Sequence, residues 1–318
     1  MPSSPSPLRV RAFGKINLAL YVLGKRPDGY HEISTILQAV DLCDTLTFAR
    51  AASGLSLTST DPALPKGEDN LVVRAVRLLE QNTKRSLPLE VHLEKVIPVG
   101  AGMGGGSANA ASTLWAVNRL YGLGFNDERL RSIGAELGSD VPFFLTSGQA
   151  MATGRGEVLT ELDLPIDYEV KIAFPGILVR ASEAYALAKS SLTNPLADCS
   201  FGRCPSPEEF WEWIGSHDNN LAAGITATYP AVARGIGAMR SLGARHAGMT
   251  GSGSAVFGLF ARRETGEYPE SEWPLSGAWV VWSARPLKTP GKVLPAAGVV
   301  SPGGQTCGDH RGSHCVEE

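Results

Sequence analysis

Five of the seven residues from Gly100 to Gly106 are glycine, within the run Pro98-Val99-Gly100-Ala101-Gly102-Met103-Gly104-Gly105-Gly106-Ser107. Helix and strand propensities do not account for that density, because each glycine costs backbone entropy when it is ordered. Such a run offers close approach of backbone to a ligand and several N–H groups facing one way. A helical pattern starts at about Ser107, so the run feeds a helix N-terminus, where unpaired N–H groups and the macrodipole attract an anion. The chemistry indicated is the holding of nucleotide phosphates. Ser107, at the junction, is placed to cap the helix or to touch a phosphate or its magnesium ion. A Walker loop needs a terminal Gly-Lys-Ser/Thr, which is absent. A dinucleotide fingerprint fits residues 100–105 loosely, and the next acids, Asp127 and Glu128, open a helix instead of ending a strand where they could hold a ribose.

Three further segments carry groups able to do chemistry. In Phe13-Gly14-Lys15-Ile16-Asn17-Leu18, Lys15 and Asn17 stand two apart and point to the same side of a strand. On an otherwise apolar face that pair needs an anionic or polar partner. In Leu137-Gly138-Ser139-Asp140-Val141-Pro142-Phe143-Phe144, a carboxylate precedes a proline-fixed apolar turn, and Asp140 held among apolar groups calls for a cation, for which Lys15 is the candidate. Met249-Thr250-Gly251-Ser252-Gly253-Ser254-Ala255-Val256 is a second small-residue loop, able to lie against a ligand or against the first loop. Taken singly, each has a plain structural explanation: an exposed edge pair, an N-cap aspartate, a tight turn.

The elements that must position these groups follow from periodicity. Ile16, Leu18, Leu20 and Val22 alternate with Asn17, Ala19 and Tyr21, the period of a half-buried strand. A Pro-Asp-Gly turn at residues 27–29 follows, then strands at about 45–48 and 55–58. Asp69 or Asn70 reads as the N-cap of a helix whose inward face carries Val72, Ala75, Val76 and Leu79. Residues 89–96 return to strand before the glycine run. Helices are expected over 107–121, closed by Gly122, and from about Asp127 to a stop at Gly138. The pattern then restarts: strand at 170–174, helices at 182–190 and 208–214, strands at 256–260 and 279–282. The expected division is 1–164, 165–299 and, from composition alone, a disordered tail over 300–318.

At 318 residues the chain can bury one large or two ordinary cores. Its net charge of −3, from 29 basic and 32 acidic residues, argues against coating nucleic acid. No apolar run approaches the roughly 18 residues of a membrane span, and the short Pro/Ser leader lacks a signal-peptide core. The five scattered cysteines suit reduced thiols, so a cytoplasmic protein is expected. Cys307, His310, His314 and Cys315 have spacings that could suit a metal, but such residues in an unpacked polar tail are more often idle, and no metal site is assigned.

Taken together and in order, the four segments resemble the GHMP kinase superfamily, which includes galactokinase, homoserine kinase and mevalonate kinase. The resemblance runs from about Ala12 to Phe260 and thins between Asn194 and Trp213. It is sharpest toward one branch, through Lys15-Ile16-Asn17-Leu18 followed by Arg26-Pro27-Asp28-Gly29-Tyr30-His31-Glu32, and through Ser107-Ala108-Asn109-Ala110-Ala111. It implies an α+β fold of two domains, the N-terminal one like domain 2 of ribosomal protein S5 and the C-terminal one ferredoxin-like. It implies ATP and Mg²⁺ as cofactors, a CDP-linked methylerythritol as small-molecule substrate, no nucleic-acid or membrane partner, and a monomer or weak dimer. It implies Asp140 as general base and Lys15 as the cation that holds it ionised and steadies charge on the alcohol and phosphate. Pro98, Gly100, Ala101, Gly102, Met103, Gly104, Gly105, Gly106 and Ser107 would meet the phosphates, while Asn70, Leu71 and Lys95 would lie near the adenine. Asn17, Tyr30, His31 and Tyr185 would bind substrate, with Tyr30 and Tyr185 stacking on the cytosine and His31 bonding its edge. Ala181 stands where relatives usually carry threonine, and the expected helix holds no glutamate for magnesium. Another GHMP kinase, a non-catalytic RNA-binding protein of S5-like fold, and a dinucleotide-dependent oxidoreductase stay open as alternatives.

Overall fold

The computed structural model describes residues 6–188, 196, 205–262 and 273–288. β1 (Leu8–Lys25) and β2 (His31–Arg50) form a long antiparallel hairpin. Its turn is tied by Arg26 N donating to Tyr30 O at 2.8 Å, with Gly29 supplying φ +87°. β2 is shared along its length. Residues 33–38 pair with β5 (Gln149–Gly154), and residues 45–50 with β4 (Leu89–Glu94). β3 (Leu55–Ser59) joins β4 in parallel, and β6 (Val158–Glu161) extends the sheet beyond β5.

Three helices cover one face of this sheet. α1 (Leu71–Thr83) is capped by Asn70, whose side chain accepts from Val72 N, a cap worth about 1 kcal/mol. α2 (Gly105–Tyr121) begins two residues earlier than its apolar pattern predicts, because Gly104 at φ +71° starts the helix without a side-chain cap, and it closes at Gly122. α3 (Asp127–Leu137) is capped by Asn126. Leu46 and Phe48 of the sheet pack with Val76, Leu79, Leu114 and Ile133 of the helices in one core.

The second sheet has the order β10-β7-β9-β8, from β7 (Tyr168–Phe174), β8 (His246–Met249), β9 (Val256–Ala261) and β10 (Val280–Ala284). α4 (Ala181–Leu187), α5 (Pro207–Gly215), α6 (Ala222–Thr228) and α7 (Pro230–Ser241) accompany it. α6 and α7 are absent from the periodicity reading, since Gly224, Gly235 and Gly237 dilute the apolar pattern. Pro230 at the first helical position was the available signal.

β1 is a point of difference. Its alternation predicts a half-buried strand, yet residues 12–20 are buried on both faces. Ile16, Leu18 and Ala19 share a core with Val170, Ile172 and Phe257 of the second sheet, which packs over the strand. The last described residues return to the first sheet, with Leu287 N donating to Ala39 O at 2.9 Å and Asp41 N to Arg285 O at 3.0 Å. Lys15 and Asn17 thus lie where the two sheets meet. The Cys307, His310, His314 and Cys315 tail, Cys199 and Cys204 lie outside the described residues, as do positions 189–190 of the expected helix.

Candidate active site

Lys15 and Asn17 lie between two irregularities of the β1–β2 register, at Phe13/Lys15 and Asn17/Ala19, which aim both side chains toward the glycine run. Lys15 N donates to Met103 O at 3.0 Å, and Gly14 leaves room for this approach, with Ile97 Cδ1 3.2 Å and Met103 Cε 3.4 Å from where a Cβ would stand. The Lys15 ammonium donates to Asn17 Oδ1 at 2.6 Å and Gly102 O at 2.8 Å, and stands 4.0 Å from Asp140 Oδ2. Burial lowers the Lys15 pKa below the ordinary lysine value, and the Asp140 charge opposes that shift.

Asp140 itself is not held among apolar groups, as its sequence neighbours suggest. Its side chain is 41% exposed. The single turn Pro142–Leu145 drives its four apolar side chains into the core and leaves Asp140, two residues before it, open to solvent on one side.

Asn17 is the hub of the interior. Its Nδ2 donates to Thr35 Oγ1 at 2.9 Å, and its backbone N–H to Thr250 Oγ1 at 3.1 Å. The Thr250 hydroxyl in turn reaches Asn17 Oδ1 at 3.2 Å and Gly102 O at 3.3 Å. The two small-residue loops therefore pack on each other: a Cβ on Gly102 would fall 2.1 Å from Thr250 O. Ala255 N donates to Ala101 O at 3.3 Å across the same seam. Asn219 clamps the second loop from behind, its Nδ2 donating to Met249 O and Gly251 O, both at 2.8 Å. The sequence marked residues 249–256 as a loop of small residues but gave Thr250 and Asn219 no individual part. Their partners are far away in the chain, so only a fold reveals them.

The glycine run forms one wall of a cavity of about 360 Å³, a size suited to a small-molecule site. Every residue assigned to the nucleotide lines it: Pro98, Gly100 to Ser107, Asn70, Leu71 and Lys95. Gly100, Gly102 and Gly104 adopt φ of +69°, +78° and +71°, values that side chains disfavour, and this turns the backbone around the cavity. Leu64, Pro65, Leu71 and Leu93 give the lining its apolar surface, and the first turn of α2 gives it unpaired N–H groups. Two of the assigned groups are engaged within the protein. Lys95 Nζ lies 2.6 Å from the buried Asp44 carboxylate, which also accepts from Val96 N at 2.7 Å and Ile97 N at 2.8 Å. Asn70 donates to Pro65 O at 2.8 Å besides capping α1.

Of the groups assigned to substrate, Asn17 is 3% exposed and its amide is used up within the protein, by Lys15, Thr35 and Thr250. It steadies Lys15 and has no free group for a substrate, whereas Tyr30, His31 and Tyr185 stand apart from the glycine run. His31 and Tyr185 stack on each other, with centroids 5.0 Å apart and planes at 14°. The Tyr185 phenol is pushed up to about 12 by burial, and then by the Asp140 charge. Tyr30 is 55% exposed, with Arg155 Cζ 4.9 Å over its ring. Glu32 joins the two turns that frame these rings, accepting from Arg26 at 2.5 Å and from Gly154 N at 3.1 Å. Tyr30 and Tyr185 do not form an empty pair of parallel rings here. Each already has a partner on one face.

Among the described residues no group of three or more His, Cys, Asp or Glu could hold a metal, and no helix is long and apolar enough to cross a membrane.

Comparison with known proteins places this geometry among kinases. The family described as the GHMP kinases N terminal domain matches residues 70–148, and that described as GHMP kinases C terminal matches 206–268. A 4-diphosphocytidyl-2-C-methyl-D-erythritol kinase of Ralstonia nicotianae is 40% identical over 86% of this chain and 94% of its own length. One from Citrifermentans bemidjiense is 38% identical over 88% and 99%. A crystal structure of a 4-(cytidine 5'-diphospho)-2C-methyl-D-erythritol kinase superposes with TM-score 0.70 at 32% identity, covering 88% of this chain and 99% of that one. A homoserine kinase of Cytophaga hutchinsonii shares the fold, with TM-score 0.70 at 18% identity over 91% and 98%.

Proposed function

Since the chain belongs to the 4-diphosphocytidyl-2-C-methyl-D-erythritol kinase family of GHMP kinases, we propose that its cleft transfers the γ-phosphoryl group of ATP to the 2-hydroxyl of that CDP-linked alcohol. The enzyme is an ATP-dependent small-molecule kinase of isoprenoid biosynthesis. The observation that carries the assignment of roles is the Lys15–Asp140 pair, 4.0 Å apart, standing beside the loop that lines the cavity.

Phosphoryl transfer asks for positioning, neutralisation of charge and an oriented nucleophile. ATP lies with its base against the apolar lining residues of the cavity and its phosphates along the glycine run, where backbone N–H groups and the N-terminus of α2 meet them. Asp140, exposed to the cleft, takes the proton of the substrate hydroxyl as that oxygen attacks. Lys15, fixed by Asn17 and Gly102, supplies positive charge to the alcohol oxygen and the transferring group. Thr250 locks Asn17 and the glycine run in one register, so the base and the phosphates keep a fixed separation. The cytidine end lies against Tyr30, His31 and Tyr185, where aromatic faces and a histidine edge suit a base. Mg²⁺, when bound with ATP, offsets phosphate charge. At the glycine run the Ser107 hydroxyl would be the protein oxygen to help hold it.

On this reading residues 1–164 carry the ATP site and 165–299 close the cleft. The enzyme works in the cytoplasm as a monomer or weak dimer, without nucleic acid, as its net charge of −3 favours. The direct test is ATP consumption with the CDP-linked alcohol, homoserine, mevalonate and galactose. Turnover with the first alone is expected. Faster turnover with any of the others would overturn the substrate assignment.

A further inference from the structure

Four N–H groups of β1 donate outside its pairing with β2. Lys15 N donates to Met103 O at 3.0 Å, and Asn17 N to Thr250 Oγ1 at 3.1 Å. Leu20 N then donates to Asp218 O at 3.0 Å, and Val22 N to Asn220 Oδ1 at 3.1 Å. N–H groups facing one edge of a strand recur at every second residue, as 15 and 17 do and as 20 and 22 do. The shift of one between the two pairs falls at the Asn17/Ala19 irregularity.

Asn219 joins the holds on either side of that irregularity. Next to it, Asn220 N donates to Leu20 O at 2.9 Å, which fixes residues 218–220 along β1. The Asn219 amide is fully used: Nδ2 donates to Met249 O and Gly251 O, both at 2.8 Å, and Oδ1 accepts from Leu221 N at 3.0 Å. Those two carbonyls stand on either side of Thr250. Asn219 is 3% exposed and Thr250 0%, so solvent does not compete for these bonds. A ring therefore closes. It leaves β1 at Leu20, passes through Asn219 and Thr250, and returns to β1 at Asn17.

The ring bears on Lys15 at two points. Asn17 Oδ1, faced by the Thr250 hydroxyl at 3.2 Å, accepts from the Lys15 ammonium at 2.6 Å. Gly251 is packed so close that a Cβ on it would stand 3.2 Å from Lys15 Nζ. Both supports of the ammonium on this side depend on the loop that Asn219 clamps.

We infer that Asn219 is a positioning residue for phosphoryl transfer. Its amide fixes the backbone on both sides of Thr250, and Thr250 and Gly251 in turn fix the Lys15 ammonium. The inference rests on Lys15 being the cation of the transfer, and it adds a residue that acts on Lys15 from the second half of the chain.

The test is a double-mutant cycle on kcat with Asn219→Ala, Thr250→Val and the two combined, measured below their Tm with the acceptor that turns over fastest. A misplaced ammonium lowers the rate of transfer more than the binding of either substrate. Each single variant is expected to lose about tenfold in kcat, with both KM values within about threefold. The double variant loses no more than about twice what the worse single loses, since both act through one chain of contacts. Losses that multiply to about a hundredfold overturn the proposal. So does a kcat within about threefold of wild type in Asn219→Ala, or a rise in KM with kcat kept. Asn126→Ala, which removes the cap of α3, should lower Tm by about 2–4 °C and leave kcat unchanged. An equal loss of kcat there would trace the effect to general loosening and overturn the proposal. Asn219→Ser replaces Asn219→Ala if the latter does not fold; if neither folds, the amide serves folding alone and the proposal falls. Lys15→Met tests the underlying reading separately. If it keeps kcat within about fivefold, Lys15 is not the cation of the transfer, whatever Asn219→Ala does.

Discussion

Replacing Asp140 by asparagine keeps the shape of the side chain and removes its charge and basicity. Two consequences of very different size follow. The first is structural: Lys15 loses a carboxylate 4.0 Å from its ammonium. At that separation two unit charges interact by about 4 kcal/mol at an effective dielectric of 20, and about 1 kcal/mol in water. Asp140 is 41% exposed, which places the pair toward the weaker limit. Lys15 also keeps Asn17 Oδ1 and Gly102 O as acceptors, so the expected stability change is about 1 kcal/mol or less. The second is chemical: loss of a general base costs about 10²–10⁴ in rate, or roughly 3–5 kcal/mol of barrier. Asp140 does not line the nucleotide cavity, so KM for ATP should stay within about threefold. The assay is ADP release with the CDP-linked alcohol, alongside thermal unfolding. A kcat within about tenfold of wild type refutes Asp140 as the base. A Tm drop beyond about 5 °C is larger than a solvent-screened pair can supply, and it would refute the weak coupling of Asp140 to Lys15.

Two further outcomes separate the other parts of the site and fold. Tyr30→Leu removes an exposed ring and should raise KM for the CDP-linked alcohol about tenfold, the worth of one aromatic stack, with KM for ATP unchanged; equal effects on both would contradict the division of the cleft. His246, half-buried on β8, has its pKa lowered from 6.5 to about 4, chiefly by desolvation. The unfolded chain therefore binds the proton more readily between those values, and stability is full above about pH 6.5 and falls as pH drops toward 4, by about 3 kcal/mol in all. His246→Gln should flatten that part of the Tm–pH curve, and an unchanged slope would exclude His246 as its source.

Features that depend on neighbours in the chain were legible in the sequence. Glycines at 100, 102 and 104 announce a backbone with φ near +70°, because only glycine takes it without strain. Asn70 announces a helix start through a bond to a residue two places on. Lys15 and Asn17 share a side because strand side chains repeat every two residues. The order of these segments was enough to indicate the superfamily and its chemistry. Features that depend on packing between distant segments became visible only in the folded chain. The exposure of Asp140 follows from which way its neighbours turn into the core, not from their being apolar. Burial of β1 on both faces required a second sheet that begins only at Tyr168. Thr250 meets Asn17 across 233 residues, and Asn219 grips a loop 30 residues on, contacts with no local signature. The burial of Asn109 is of the same kind: in sequence it is one polar residue on a helix, and only packing withdraws it from water.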